Sequence, residues 1–286
     1  MKPKKSLGQN FLRDNEVLEK IIESADLKPT DLVVEIGPGE GVLSAKLKKK
    51  AGKLIMIEKD ELLARNMARN FQFPISNFQI IFNDQNYKFE NNSGIISGDI
   101  LKINLPELIT QNNFQKYKVV ANIPYYITSP IIQLFLETEF PPTEMILMVQ
   151  KEVAERICAQ AGQMSILAVS VQYYAKPELL FYVNKKSFFP VPEVDSAVIR
   201  ITPFQPATSS PALLLSKEKG VREFFRIVKA GFSAKRKTLI NNLSASLKLD
   251  KKEVEEKLKK IGINSNQRAQ ELSVEDWKQI AMRIYE

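Results

Sequence analysis

Short apolar runs alternate with stretches of helical periodicity over the first two thirds of this 286-residue chain. Leu32-Val33-Val34-Glu35-Ile36 and Leu54-Ile55-Met56-Ile57 are apolar almost throughout, as expected of strands buried on both faces. Phe78–Phe82, Ile95–Ser97, Val119–Ala121 and Met145–Val149 continue the series. Between them Val42–Lys50, Glu61–Phe71, Ile131–Leu136 and Gln150–Gln160 have helical character, and Ser129-Pro130 offers a cap and a first-turn proline. This alternation predicts an α/β fold with a mostly parallel sheet and ligands at the carboxyl ends of its strands. Leu179–Val183 and Ala197–Ile201 are expected to pair antiparallel at the sheet edge. The segment from Phe204 to Pro211 reads as a linker, and beyond it Val221–Phe232, Arg236–Leu247, Lys251–Ile261 and Val274–Ile284 are helical in pattern. Two domains follow, 1–205 and 206–286.

Composition narrows the chemistry. The 44% hydrophobic content is ample for a buried core, and no stretch approaches the roughly 18 uninterrupted apolar residues of a membrane span. With no apolar leader at the N-terminus either, a cytoplasmic location is expected. Cys158 is the lone cysteine and there is no histidine, which removes internal disulfides, thiolate zinc clusters, His-metal sites and Ser-His or Cys-His catalysis. The formal charge of +8 is unevenly spread: 17 Lys/Arg stand against 10 Asp/Glu from Pro206 onward, and 24 against 23 before it. A basic C-terminal domain suits a phosphate polymer as partner, although a solvated helical face would produce the same excess.

Three places carry candidate chemistry. Glu35-Ile36-Gly37-Pro38-Gly39-Glu40-Gly41 joins the first strand to its helix, and its G-x-G-x-G spacing suits an S-adenosylmethionine loop better than the G-x-G-x-x-G of a dinucleotide site. A purely structural turn is the other reading. Glu58 ends the second strand, where it could accept hydrogen bonds from ribose hydroxyls or simply serve a helix N-terminus. Asp99, after the strand Ile95–Ser97, could accept from an adenine amino group; Asp84 is its rival, and a turn aspartate is the plain alternative for each. Asn122-Ile123-Pro124-Tyr125-Tyr126 follows Val119-Val120-Ala121. An exocyclic base amine is a poor nucleophile, so a site that methylates it must accept its hydrogens and hold it at the donor. An Asn oxygen and a backbone carbonyl fixed before proline can do this, while Tyr125 stacks on an unstacked base. A strand ending in an Asn-initiated turn with core tyrosines would look the same.

Read in order, these segments resemble the ribosomal RNA adenine dimethyltransferases from about Lys4 to Leu272. The resemblance is carried by Lys4-Lys5-Ser6-Leu7-Gly8-Gln9-Asn10-Phe11-Leu12, the E-I-G-P-G-x-G loop, Asn122–Tyr126 with Thr128-Ser129-Pro130, and Gln150-Lys151-Glu152-Val153-Ala154. Phe188-Phe189-Pro190-Val191-Pro192-Glu193-Val194-Asp195-Ser196-Ala197 and Ala230-Gly231-Phe232-Ser233-Ala234-Lys235-Arg236-Lys237-Thr238-Leu239 complete it. It implies a Rossmann-like S-adenosylmethionine-dependent methyltransferase sheet, a small helical RNA-binding domain, no metal, and a monomer. The implied reaction is N6,N6-dimethylation of two adjacent adenosines near the 3′ end of 16S rRNA in the small ribosomal subunit. Position by position it implies that Asn10 and Leu12 contact the cofactor from an N-terminal arm, Gly37 and Gly39 line it, Glu58 holds its ribose and Asp99 its adenine. Asn122 would lie between cofactor and target, and Tyr125 and Phe188 would sandwich the flipped base. Without the family the arm is a frayed basic tail and Phe188 a core aromatic. Lys235, Arg236 and Lys237 suit RNA phosphates, or a solvated helix face. The stretch Asn83–Gly94 is longer and more polar than the family's usual connection, which bears on the choice between Asp99 and Asp84. A large-subunit adenine methyltransferase of the macrolide-resistance type and a mainly non-catalytic ribosome assembly factor are the alternatives.

Overall fold

A computed structural model of the chain describes residues 8–70, 78–82, 89, 93–112, 116–204 and 218–284. The chain divides into two compact units, Met1–Ala154 with Pro177–Pro203, and Glu155–Lys176 with Phe204–Glu286.

The first unit is built on an eight-stranded sheet. Its elements run β1 (Phe11–Leu12), α1 (Asn15–Ala25), β2 (Leu32–Ile36), α2 (Val42–Lys50), β3 (Lys53–Glu58), α3 (Glu61–Asn70), β4 (Phe78–Phe82), β5 (Ser93–Ser97), α4 (Leu105–Gln111), β6 (Lys118–Asn122), α5 (Thr128–Leu136) and β7 (Glu144–Gln150). After α6 (Lys151–Ile157) and α7 (Ile166–Tyr174) come β8 (Ala175–Val183), β9 (Phe188–Phe189) and β10 (Ser196–Pro203). Sheet order is β4-β5-β3-β2-β6-β7-β10-β8, parallel from β4 to β7, with β10 antiparallel to β7. All five residues of β2 and all five of β5 are buried, which accounts for runs with no polar alternation. From β2 the order proceeds to β3 on one side and to β6 on the other. The connections leaving β2 and β6 therefore diverge and open a crevice at the strands' carboxyl ends.

The expected strands and most expected helices are present, and β8 and β10 are neighbours at the sheet edge. The N-terminal arm is not a frayed tail over its described part. Phe11 and Leu12 pair antiparallel with Phe189 and Phe188, Arg13 N donates to the Ser187 carbonyl at 2.8 Å, and the Ser187 hydroxyl donates to Asp14 at 2.8 Å. Asp14 also caps α1, accepting from the backbone N–H of Glu16 and Val17. Helix α1 buries Val17, Leu18, Ile21, Ile22 and Ala25, an i, i+4 stripe hidden in a stretch that otherwise looks polar. Lys4–Leu7, Asp84 and most of Asn83–Gly94 lie outside the described residues.

The second unit adds α8 (Glu218–Gly231), α9 (Leu239–Leu247), α10 (Lys251–Lys260) and α11 (Val274–Arg283). Its core centres on Trp277 and Phe224, both fully buried, with Leu239, Leu243 and Leu258 around them. The expected division at 205/206 lies close to the chain's last change of unit, but residues 155–176, expected with the sheet, pack with these helices. Ala168, Val169 and Tyr173 of α7 sit in the helical core, and the Tyr173 ring lies 4.3 Å from that of Phe224. An apolar helix shows no sign in sequence of which of two cores will take it.

Candidate active site

A cleft of roughly 1070 Å³ of empty space, its open mouth included, lies at the carboxyl ends of the sheet strands in the first unit. Its walls come from the arm (Gly8–Leu12), the glycine loop after β2, Glu58 and Lys59 after β3, Gly98–Ile100 after β5 and Asn122–Ile127 after β6.

The glycine loop is folded by its own sequence. Gly37, Gly39 and Gly41 all have left-handed φ, at 64°, 58° and 82°, so the backbone turns where a side chain would be strained. Gly39 is also close-packed: a Cβ there would sit 3.0 Å from the Phe11 ring. Beneath the loop Glu58 is buried, one carboxylate oxygen accepting from Gly39 N at 3.1 Å and the other from Asp60 N at 2.8 Å. Burial raises its pKa, while those two N–H groups pull the other way. Gln9 Nε2 donates to Asp60 at 3.2 Å and Arg13 pairs with Glu40, so the arm is tied to the residues around the loop. Asp99 caps the turn Ile100–Lys102, accepting from Leu101 N at 3.1 Å, and its second oxygen pairs with Lys59 Nζ at 2.9 Å. Burial works to raise its pKa, but Lys59 and the Leu101 N–H outweigh it and the carboxyl lies below its ordinary value.

Across the cleft Asn122 ends β6. Its Nδ2 donates to the Asn10 carbonyl at 3.5 Å, which leaves Oδ1 to accept from a ligand. Ile123 N is anchored on the Met148 carbonyl at 3.2 Å, and Pro124 follows with φ −55° and ψ 127°. Tyr125–Ile127 form a single 3₁₀ turn closed by Ile127 N on the Pro124 carbonyl at 3.1 Å. Tyr125 is half-buried, with its hydroxyl 2.7 Å from Ser196 Oγ, whereas Tyr126 is 52% exposed. A carboxylate-rich, glycine-lined half thus faces an amide and an aromatic ring, an arrangement suited to holding a ribose-bearing ligand beside a planar amine.

Comparison with known proteins places this geometry in a lineage. The family model described as ribosomal RNA adenine dimethylase matches residues 1–286. The chain belongs to that family. It is 40% identical over 283 residues to the Ribosomal RNA small subunit methyltransferase A of Dehalococcoides mccartyi, covering 99% of this chain and 88% of the relative. The protein of the same name in Enterococcus faecalis is 38% identical over 285 residues, covering 97% and 89%. Among solved structures, a dimethyladenosine transferase from Plasmodium falciparum superposes with a TM-score of 0.71 at 26% identity, over 95% of this chain and 96% of that one. The 23S rRNA methyltransferase ErmE superposes equally well, with a TM-score of 0.71 over 97% and 100% of the two chains, and at 24% identity shares the fold.

Within this dimethylase cleft the structure brings together Asn10, Leu12, Gly37, Gly39, Glu58, Asp99, Asn122 and Tyr125. Phe188 is not with them. It is 3% exposed, paired to Leu12 and packed in the sheet core, and it is not among the residues that line the cleft; Phe189 is the exposed member of the pair. Alternation along a strand sends the two rings to opposite sides, and the sequence Phe-Phe leaves open which goes in. Lys235, Arg236 and Lys237 are exposed and lie in the turn between α8 and α9, not on a helix. The buried Asn242 shapes that turn, donating to the carbonyls of Gly231 at 2.7 Å and Ala234 at 3.0 Å. Sequence reasoning missed Glu35 as a cleft residue. It is buried with Oε2 unpartnered, and its pKa is pushed up to about 8 by burial, the neighbouring Glu58 adding to the shift. A carboxylate inside an otherwise apolar strand was the available signal.

Proposed function

We propose that this dimethylase-family chain transfers methyl groups from S-adenosylmethionine to N6 of two adjacent adenosines near the 3′ end of 16S rRNA in the small ribosomal subunit. The observation that carries the reading is the single cleft in which the glycine loop and Glu58 face Asn122 and Tyr125. The names of the curated relatives, matched over nearly the whole chain, favour the small subunit over the large one.

The residues present fit the cofactor. Gly37 and Gly39 border the cleft in left-handed conformations that glycine adopts without strain, Glu58 has lone pairs for ribose hydroxyls, Asp99 has one for an adenine amine, and Asn10 and Leu12 border the same space. S-adenosylmethionine supplies a methyl group on a positive sulfur, already a good leaving group. What remains for the protein is alignment and exclusion of water. Asn122 Oδ1 and the carbonyl of Ile123 accept the N–H hydrogens of the target amine and hold its nitrogen toward the cofactor half. Tyr125 offers a face to the base. Once methylated the nitrogen is an acidic ammonium and gives its extra proton to water, so the chain needs no imidazole. After the first transfer the monomethylated base must be held with one N–H fewer to share between the two acceptors. The Lys235–Lys237 turn supplies phosphate contacts, the protein works as a monomer, and the reaction is cytoplasmic and metal-free. The test is transfer of labelled methyl to purified small subunits lacking the modification, followed by nucleoside analysis: N6,N6-dimethyladenosine is expected, and label confined to large subunits would overturn the assignment.

A further inference from the structure

The hydroxyl of Tyr125 ends 2.7 Å from Ser196 Oγ. Ser196 is fully buried at the start of β10, paired in register with Gln150 of β7, so its position is set by the sheet and not by the cleft. Tyr125 by contrast stands on a one-turn 3₁₀ segment whose described hydrogen bonds, Ile127 N to Pro124 O, Thr128 N to Tyr125 O and Thr128 Oγ1 to Tyr125 O at 3.2 Å, hold its backbone only. The ring's far end therefore has one hydrogen-bond anchor among the described residues.

We infer that Ser196 is a positioning residue for methyl transfer, pinning the Tyr125 ring at the place where the target base stacks. This rests on the dimethyltransferase reading of the cleft. The hydroxyl lies on the ring's own axis, so the bond does not decide the ring's spin. It fixes χ1, and with it the lateral position of the stacking face. A face displaced by an ångström carries the amine out of line with the donor, which costs rate more than it costs RNA binding.

The experiment is a double-mutant cycle in the full chain, using Ser196→Ala, Tyr125→Phe and both together, with methyl transfer to unmodified small subunits and calorimetric S-adenosylmethionine binding as readouts. Either single change removes the same bond, so each is expected to lower kcat roughly 5- to 10-fold, as loss of one neutral hydrogen bond does, with KM for the subunit and cofactor affinity nearly unchanged. The double variant should be no slower than the singles. Where Ser196→Ala does not fold, Tyr125→Phe deletes the bond from the half-buried end and retains the test. Losses that multiply in the double variant, wild-type kcat in both singles, or a fall in cofactor affinity matching the fall in rate would each overturn the role of Ser196. A wild-type chain that transfers no methyl to either subunit would instead refute the function on which the role depends.

Discussion

Asn122 and Glu35 sit within one cleft and face opposite physical demands. Asn122 is neutral, half-exposed and held by one long hydrogen bond, so its oxygen keeps full accepting capacity. Asn122→Ala should cut methyl transfer roughly 100-fold or more, the scale of losing an aligned catalytic hydrogen bond, while S-adenosylmethionine affinity falls far less; wild-type turnover would remove Asn122 from the mechanism. Glu35 is fully buried and carries a folded pKa of about 8 against 4.5 for the free side chain. Between those values the unfolded chain binds fewer protons than the folded one, so this group makes stability decline as pH rises across the window. Glu35→Gln is expected to flatten that decline and raise the melting temperature at pH 8 relative to the wild type. Melting curves at pH 5 and pH 8 with unchanged separation would show that Glu35 finds a compensating partner. Both residues were visible in sequence as anomalies: an amide closing one apolar run and a carboxylate inside another. Their accepting atoms and burial were not, because those depend on Asn10, Ser44 and Glu58 from other segments.

Among the elements, the glycine loop was the most legible, since three left-handed φ values in five residues are a demand on the backbone that only glycine meets cheaply. The pairing of β1 with β9 was not legible. Two-residue strands have no periodicity, and their register is set by Asp14 and Ser187 meeting across 173 residues of chain. The same limit hid the inward turn of Phe188. The Lys235–Lys237 triplet was visible as charge, but its place in a turn is the work of Asn242, which satisfies one carbonyl at the end of α8 and one in the turn beyond it. A turn pinned by a buried amide can present three cations to phosphates without first ordering a flexible segment. Replacing Lys235, Arg236 and Lys237 by Gln should weaken binding to small-subunit RNA and lower the slope of log affinity against log salt by roughly 2 to 3, the effect of losing three phosphate contacts. An unchanged slope in a filter-binding titration would make the turn bystander surface.

At the level of the whole molecule the described residues include a core around β2, β3 and α1 in the first unit and another around Trp277 in the second. Gly231, inside the A-G-F-S motif, belongs to the second: a Cβ there would lie 2.2 Å from the Trp277 ring, which also stacks on Phe232 at 5.5 Å. Gly231→Ala is expected to destabilise that unit by about 1–3 kcal/mol or more, the cost of overpacking a filled core. Trp277 is the chain's one tryptophan, so its fluorescence reports the loss, and S-adenosylmethionine binding should persist. Coincident loss of both would show that the cores melt as one. The sequence by itself determined the strand and helix alternation through its apolar periodicities, the glycine turn through its glycine spacing, and the approximate C-terminal boundary through the linker after Phe204, because each is a local demand on φ, ψ or on burial. Only the tertiary structure decided that α7 joins the helical core, that Phe188 turns inward, and that Ser196 meets Tyr125. Those outcomes depend on which distant surfaces come into contact, and a residue's chemistry names what it can bond to without naming what will be within reach.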